Sequence, residues 1–293
     1  MTIQWYPGHM HKARKKIRES MPLIDMVIEV LDARIPYSSE NPLVDQLRGE
    51  RPCIILLNKS DLADPVATSA WKQYYERKRG TKAIAIVAEK KGEAKALIPK
   101  ITQLAKTMLV DRNLVSKPAR VMIMGIPNVG KSTLMNGLLG RMLAKVGNEP
   151  AVTKIQHSTR LDNGVLLYDT PGMLWPKVEN ENSGYRLAIT GAIKSTAMDF
   201  EDAAMYAADY FLKQYPELIM ARYKLKQLPK DDIGLLEEIG RRRGALRSGG
   251  IVDFHKASEM LINEFRSGAI GRISLETPEL IAAQKTMSNA EDA

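Results

Sequence analysis

The sequence predicts an α/β protein with a doubly wound, mostly parallel six-stranded sheet, followed by a small all-helical C-terminal domain. Two observations support this prediction. Between Ile24 and Tyr168, short apolar runs alternate with longer amphipathic stretches, which is the pattern of strands joined by helical crossovers. After Pro176 these runs stop and helical periodicity takes over, so a second domain is expected there.

Each strand is predicted from one apolar run. The runs cover residues 27–31, 53–57, 83–87, 120–124 and 165–168, and a sixth strand is expected within 156–161. The run at 53–57 is apolar throughout, as expected for a parallel strand that is buried on both faces. The sheet is therefore predicted to be covered by helices on both sides.

The second part of the chain is predicted to be helical and to end in a flexible tail. Helices are expected over residues 199–214, 231–243 and 252–267. Residues 283–293 are small and polar, which is typical of a chain end that frays. We therefore predict a first domain over 1–175, a helical domain over 176–282 and a flexible tail over 283–293.

Composition excludes several classes of protein. The chain is 44% hydrophobic and 26% charged, which is typical of a globular protein. No apolar run approaches the roughly 20 residues that a membrane span requires. The N-terminus lacks the apolar core of a signal peptide, and Cys53 is the only cysteine, so a cytoplasmic protein is expected.

The charge of the chain favours a polyanionic partner. Lys and Arg number 43 against 34 Asp and Glu, which gives a net charge of +9. Basic residues cluster at 12–18, 72–82 and 241–247. A solvated helix face explains any one cluster equally well, but three clusters in one basic chain favour RNA or DNA. The candidate RNA-binding residues are Arg241, Arg242, Arg243 and Arg247.

The strongest single motif is Gly125-Ile-Pro-Asn-Val-Gly130-Lys131-Ser132, which has the spacing of a phosphate-binding P-loop. It lies between an apolar run and an amphipathic stretch, as a strand-loop-helix unit requires. Glycines let backbone N–H groups approach the phosphates, and the helix N-terminus adds its positive end. Lys131 is expected to meet the β- and γ-phosphates, and Ser132 can bind Mg²⁺. The predicted nucleotide contacts are Asn128, Val129, Gly130, Lys131, Ser132 and Thr133.

A second motif, Asp169-Thr-Pro-Gly172, follows the apolar run that ends at Tyr168. An Asp at the end of a strand can hold Mg²⁺ through water, and the backbone N–H of Gly172 can donate to a γ-phosphate. The alternative is an ordinary turn built from Asp, Pro and Gly. Its position after a P-loop favours the nucleotide-binding interpretation.

A third motif, Asn58-Lys59-Ser60-Asp61, follows the run that ends at Leu57, at the edge where ligands bind in open α/β sheets. The carboxylate of Asp61 can accept hydrogen bonds from N1 and N2 of guanine, which adenine cannot offer. A helix N-cap at Ser60 or Asp61 is the alternative explanation. The motif therefore predicts selectivity for guanine and disfavours an ATPase.

Together the three motifs resemble those of guanine-nucleotide-binding proteins. In ordinary Ras-like GTPases the base motif follows the other two, but here it precedes them, so the chain resembles the circularly permuted GTPases. Within that group, the opening Trp5-Tyr-Pro-Gly-His9-Met10, the segment Leu31-Asp-Ala-Arg-Ile-Pro36 and the helical C-terminal domain are similar to the ribosome biogenesis GTPase A (YlqF) family.

The resemblance implies a Ras-like G domain in a cytoplasmic assembly factor for the large ribosomal subunit. Such a factor binds GTP or GDP, contacts rRNA and ribosomal proteins, hydrolyses GTP on the particle and then leaves it. The excess of Lys and Arg agrees with this, because a surface that faces rRNA must neutralise phosphates.

Three residues receive roles from the resemblance. Thr153 is similar to the switch I threonine, which joins Ser132 and Asp169 as a Mg²⁺ ligand and meets the γ-phosphate. Asn128 is similar to the P-loop asparagine that binds K⁺ in related GTPases. Ala88 stands in Val-Ala-Glu-Lys where the superfamily has Ser-Ala-Lys, and its backbone N–H is expected to meet guanine O6.

The residue that orients the attacking water is not obvious. A Gln commonly follows the switch II glycine, but this chain has Met173 and Leu174 there, and neither side chain hydrogen-bonds water. The resemblance points to His9 as the catalytic residue, and a structural or rRNA-contacting role is its alternative. Two functions stay open: a Mg²⁺-dependent GTPase stimulated by the ribosomal particle, and an RNA-binding module that holds GTP as a structural ligand without turnover.

Overall fold

A six-stranded sheet forms the centre of the first part of the chain. The computed structural model describes residues 3–4, 8–109, 118–140, 158–161, 165–170, 172, 177–178, 180–193 and 199–291. In spatial order the strands are β4 (Thr81–Ala85), β3 (Cys53–Asn58), β2 (Met26–Asp32), β5 (Arg120–Met124), β7 (Leu166–Asp169) and β6 (Ser158–Arg160). All neighbours pair in parallel except β6 and β7, which are antiparallel. The predicted mostly parallel six-stranded sheet is confirmed.

Helices cover both faces of this sheet. They are α1 (Gly8–Ser20), α2 (Pro36–Ser39), α3 (Pro42–Arg48), α4 (Pro65–Glu76), α5 (Glu93–Leu109) and α6 (Lys131–Leu139). Strands β2 and β3 are buried along their whole length, which explains their unbroken apolar sequence. Alternate strand residues join two separate clusters: Ile28, Ile54 and Ile123 on one face, and Val27, Ile55 and Met122 on the other.

The second part of the chain is helical, as predicted. Its helices are α7 (Glu181–Ile189), α8 (Phe200–Gln214), α9 (Pro216–Tyr223), α10 (Asp232–Arg243), α11 (Phe254–Arg266) and α12 (Pro278–Glu291). The three predicted helices correspond to α8, α10 and α11, and each begins one or two residues late because an Asp side chain caps it. The capping residues are Asp199, Asp231 and Asp253.

The two parts share one hydrophobic core. The cluster on the face of the sheet that contains Ile28 continues through Leu187 and Phe211 to Phe265 and Leu275 of the helical part. The boundary between two domains at residue 175 therefore remains a prediction made from the sequence. The nucleotide motifs and the helical part are packed together, so the site can receive residues from both.

Two features differ from the sequence interpretation. The segment from residue 283, which was predicted to be a flexible tail, is helical, because α12 continues to Glu291. The segment begins with Ala283, Gln284 and Lys285, which are good helix formers, and Ile281, just before it, is buried in the cluster that holds Trp71 and Tyr75. A two-residue strand β8 (Lys177–Val178) also occurs after Pro176 and pairs with β1 (Ile3–Gln4), where no strand was expected.

Within the described ranges, no helix combines the length and the apolar character that crossing a membrane requires.

Candidate nucleotide-binding site

The P-loop connects the end of β5 to the first turn of α6. Asn128 and Gly130 have φ values of 61° and 97°, so the loop turns back before the helix begins. A Cβ atom on Gly130 would lie 2.2 Å from Nδ2 of Asn58. Glycine is therefore required at this position, both by its backbone conformation and by the close approach of the base motif.

Lys131 is buried at the start of α6, where its Nζ donates to the carbonyl oxygen of Ile126 at 2.6 Å. Burial lowers the pKa of Lys131 to about 8, and the nearby charge of Asp169 opposes this shift only in part. An ammonium group that has lost its hydration gains from a bound phosphate. The geometry therefore suits the role predicted for this lysine.

The end of β7 brings the second motif beside the P-loop. Asp169 is buried there, and Oγ1 of Thr170 donates to the carbonyl oxygen of Ile123 at 2.7 Å, which fixes the end of β7 against β5. A Cβ atom on Gly172 would lie 3.0 Å from the backbone of Pro127 and 3.2 Å from Nζ of Lys131. The Gly172 backbone thus passes directly beside Lys131, as a loop that detects a γ-phosphate must.

The oxygen donors near Lys131 fit Mg²⁺. Ser132 lies in the first turn of α6, and Asp169 ends the neighbouring strand β7. A hydroxyl and a carboxylate are the ligand types that Mg²⁺ prefers. Thr153, the third predicted ligand, lies outside the described residues.

Asn58 of the base motif holds two loops together. Its Nδ2 donates to the carbonyl oxygen of Val129 at 2.7 Å, and its Oδ1 accepts from the backbone N–H of Ala88 at 2.9 Å. In this structure the N–H of Ala88 is engaged by the buried Asn58 carboxamide. The predicted contact of this N–H with guanine O6 stays a prediction.

Lys59 lies across the P-loop. Its Nζ donates to the carbonyl oxygen of Asn128 at 2.8 Å and pairs with Oδ2 of Asp32 at 3.1 Å. Asp32 also pairs with Arg34 at 2.7 Å. Although burial opposes ionisation, Arg34 and Lys59 hold the pKa of Asp32 well below its usual range. The ionised Asp32 therefore fixes Lys59 in its position.

A cavity of about 580 Å³ opens beside the base motif, within the range of small-molecule sites. One wall is formed by predicted residues, namely Asn58, Lys59, Asp61, Ala88 and Asn128. The exposed carboxylate of Asp61 belongs to this wall. The structure thus brings the base motif and the P-loop together at the carboxyl ends of β3 and β5.

The opposite wall comes from the helical part and was missed by sequence reasoning. It consists of Thr190, Gly191, Asn263, Arg266 and Ser267. Nδ2 of Asn128 donates to the carbonyl oxygen of Gly191 at 2.6 Å, so the P-loop contacts the helical part directly. No motif marks these residues, because their contacts form only when the two parts pack. The K⁺ role of Asn128 stays a prediction.

The remaining predicted site residues either do not line the cavity or lie outside the part of the chain that the structure describes. His9 belongs to α1, but its side chain is outside the described residues, as are Met173 and Leu174. Ser132 and Thr133 are half-buried in the first turn of α6. The catalytic assignment of His9 therefore stays a prediction.

The four candidate RNA-binding arginines lie at and after the end of α10, away from the cavity lining, and each is paired with an acidic side chain. The pairs are Arg241–Glu237 at 3.8 Å, Arg242–Glu238 at 2.9 Å, Arg243–Glu264 at 3.1 Å and Arg247–Asp253 at 3.2 Å. The side chains of Arg241 and Arg247 are the most exposed of the four, at 61% and 64%. These two are therefore the better candidates for contact with RNA.

Comparisons with known proteins agree with the interpretation of this site as a nucleotide-binding site. A family model described as "50S ribosome-binding GTPase" matches residues 120–224. Ribosome biogenesis GTPase A of Priestia megaterium is 45% identical over 95% of this chain and 98% of its own length. The protein of the same name from Thermotoga maritima is 32% identical over 94% of this chain and 95% of its own length.

Solved structures give the same result for the fold. GDP-bound YlqF matches with a TM-score of 0.65 and 28% identity, over 90% of this chain and 99% of that one. GNP-bound YlqF from T. maritima matches with a TM-score of 0.65 and 29% identity, over 92% of this chain and 99% of that one. With motifs, fold and relatives in agreement, the chain belongs to the ribosome biogenesis GTPase A (YlqF) family of circularly permuted GTPases.

Proposed function

We propose that this GTPase is a cytoplasmic assembly factor for the large ribosomal subunit, that the particle stimulates GTP hydrolysis, and that hydrolysis releases the factor. The names of the relatives support the ribosomal role. The proposed coupling of hydrolysis to release is supported by the cavity, whose two walls come from the nucleotide motifs and from the helical part. A nucleotide in that cavity would contact the helical part, which also carries the exposed arginines on and after α10.

Positioning and charge account for most of the proposed chemistry. Lys131 and the P-loop N–H groups hold the β- and γ-phosphates. The backbone N–H of Gly172 donates to the γ-phosphate. Ser132, Asp169 and Thr153 would hold Mg²⁺, which would supply positive charge to the phosphate oxygens. When the γ-phosphate leaves, the backbone at Gly172 loses a partner and the segment that leads from it into the helical part is released.

Water activation is assigned to His9, because Met173 and Leu174 offer no hydrogen bond. We propose that binding to the particle positions the N-terminal helix so that the His9 imidazole orients the water. K⁺ at Asn128 adds positive charge near the phosphates in this proposal. The competing function is an RNA-binding module that holds GTP as a structural ligand.

Binding to the particle is expected to depend on both the nucleotide and the exposed arginines. In sedimentation with purified large ribosomal subunits, the chain should pellet with a non-hydrolysable GTP analogue and stay largely in solution with GDP. Replacing Arg241 and Arg247 together by Gln should weaken binding. It should also reduce the slope of log K against log salt by about one for each phosphate that the variant no longer neutralises.

Lys213→Gln is the matched control for the arginine variant. Lys213 is an exposed cation of the same helical part and is paired with Asp209 at 2.8 Å. It should leave the salt dependence unchanged. Equal pelleting with the analogue and with GDP would contradict the release step, whereas an unchanged salt slope in the double variant would remove Arg241 and Arg247 from the interface.

A further inference from the structure

The segment between α11 and α12 lies against the loop that carries Asp61. We call residues 272–276 the C-terminal strap. It follows the loop from Ser60 to Asp64, which leads from the base motif into α4. A part of the chain that contributes no nucleotide motif is thus in direct contact with the loop that carries the residue proposed to recognise guanine.

Arg272 of the strap spans this loop with one guanidinium group. Its Nη2 donates to the carbonyl oxygen of Ser60 at 2.9 Å, and its Nε donates to that of Ala63 at 2.9 Å. The two acceptors flank Asp61 along the chain. A planar guanidinium holds two acceptors in a fixed relative geometry, so this contact limits how the loop can bend around Asp61.

The neighbouring strap residues continue the contact. The backbone N–H of Ile273 donates to the carbonyl oxygen of Leu62 at 3.0 Å, and Oγ of Ser274 accepts from the N–H of Asp64 at 3.1 Å. On its other side, the loop is held by the N–H of Ser60, which donates to the carbonyl oxygen of Ile86 at 3.1 Å. The residue that follows β4 therefore holds the start of the loop, and the strap binds three of the loop's carbonyl groups and the N–H of Asp64.

The strap itself is fixed to both parts of the chain. The buried carboxylate of Glu276 accepts from the Ser38 hydroxyl at 2.6 Å and pairs with buried Arg186 at 3.3 Å. The Glu276 carbonyl oxygen accepts from Nε1 of Trp71 at 3.0 Å, and the N–H of Leu275 donates to the carbonyl oxygen of Arg34 at 2.8 Å. Arg272 thus extends from a rigid support, as a positioning residue must.

We infer that Arg272 is a positioning residue for guanine recognition, which holds the Asp61 loop so that the carboxylate meets the base edge. The inference rests on the proposed role of Asp61. Arg272 is exposed and does not line the cavity, so it acts through the loop and not through contact with the nucleotide. A small displacement of Asp61 weakens its two hydrogen bonds to guanine and leaves the phosphate contacts in place.

The test compares GDP with inosine diphosphate, which lacks the 2-amino group. The dissociation constants of both are measured for the nucleotide-free full chain, without ribosomes. Wild type should prefer GDP by about tenfold, the effect of one hydrogen bond to a charged group. Arg272→Gln should weaken GDP about tenfold and inosine diphosphate only about twofold, so that the preference is largely lost. Arg272→Lys should restore part of it.

Arg51→Gln is the matched control. The Arg51 guanidinium also donates to two backbone carbonyl oxygens, those of Ile24 and Arg48, but it lies away from the cavity. It should lower thermal stability as much as Arg272→Gln and leave the GDP preference unchanged. Thermal unfolding without nucleotide shows that each variant is folded.

Two results would overturn the inference: an unchanged preference in Arg272→Gln, or an equal loss of affinity for both nucleotides. If Arg272→Gln did not fold, the same criteria would apply to Arg272→Lys. The substitution Asp61→Asn separates this inference from the role of Asp61. If that variant gains xanthine nucleotides while Arg272→Gln keeps its preference, only the inference about Arg272 fails.

Discussion

Replacing Lys131 by Met is expected to weaken binding of GTP and GDP about 100-fold, which corresponds to nearly 3 kcal/mol and to the loss of hydrogen bonds from a charged donor. The ammonium group is buried at the start of α6, where water competes poorly for the phosphate oxygens. The dissociation constants of both nucleotides in the variant and in wild type measure the effect. Met is unbranched and keeps most of the length of the side chain, so the core around α6 should stay packed.

The pH dependence of binding identifies the charge of Lys131 as the cause. Its pKa is about 8 in the nucleotide-free structure, and a phosphate favours the charged form and so raises the pKa. Above pH 8 the Lys131 amine is mostly neutral in the free protein, so it must take up a proton when the nucleotide binds. Affinity should fall as pH rises, by up to about tenfold for each pH unit. In Lys131→Met this decline should be absent.

Lys95→Met provides the control for the loss of one positive charge. Lys95 is exposed beside Gly140, at the opposite end of α6. Its replacement should change nucleotide affinity less than about twofold, because exposed charges are screened. Wild-type affinity in Lys131→Met would show that this P-loop does not hold phosphate through its lysine, and would remove the basis of the proposed chemistry.

Replacing Asp61 by Asn is expected to convert a guanine site into a xanthine site. A carboxylate accepts hydrogen bonds from N1 and N2 of guanine, whereas a carboxamide can donate to the oxygen that xanthine has at C2. GDP affinity should fall about 100-fold, because one charged acceptor and its two hydrogen bonds are lost. Xanthosine diphosphate should bind more tightly to the variant than to wild type, as measured by competition.

Asp45→Asn removes the same charge outside the cavity. Asp45 pairs with Arg48 on α3 at 2.8 Å and is half-exposed. Its nucleotide preference should match that of wild type. If Asp61→Asn lost GDP and gained no xanthosine diphosphate, the guanine assignment of Asp61 would be wrong, and a structural role in the loop before α4 would be the reason for the loss.

The sheet and the nucleotide motifs were predictable because their signals are local. A buried parallel strand must be apolar along its whole length, as β3 is, and ligands bind where such strands end. The P-loop and the base motif each follow a strand directly. Once the strands β3 and β5 were identified, the position of both motifs at one edge of the sheet followed.

The contacts between the two parts of the chain could not be predicted in this way. Arg272 and Ser60 are separated by 212 positions, and their hydrogen bond uses a backbone carbonyl group that every residue possesses. Gly191 likewise meets Asn128 through its carbonyl oxygen. Such contacts leave no pattern in a single sequence, so the wall of the cavity formed by the helical part was missed.

Two local features of the structure differ from what the sequence suggested, for related reasons. The backbone N–H of Ala88 was assigned to guanine, but the Asn58 carboxamide, which is brought there by the neighbouring strand β3, accepts its hydrogen bond. Residues after 282 were expected to fray, but α12 contacts α4 and places Ile281 in a shared cluster. In both cases tertiary packing decided what the local sequence left open.

The central claim is that the ribosomal particle activates this GTPase through His9, and GTP turnover with and without purified large ribosomal subunits tests it most directly. The assay uses wild type, His9→Ala and, as a matched control from the same helix, His11→Ala, all in K⁺ and Mg²⁺. Subunits should strongly accelerate turnover by wild type and His11→Ala. The stimulated rate of His9→Ala should be about 100-fold lower, the effect expected for a lost general base. No acceleration of wild type by the subunits would contradict the claim and favour an RNA-binding protein that holds GTP as a structural ligand.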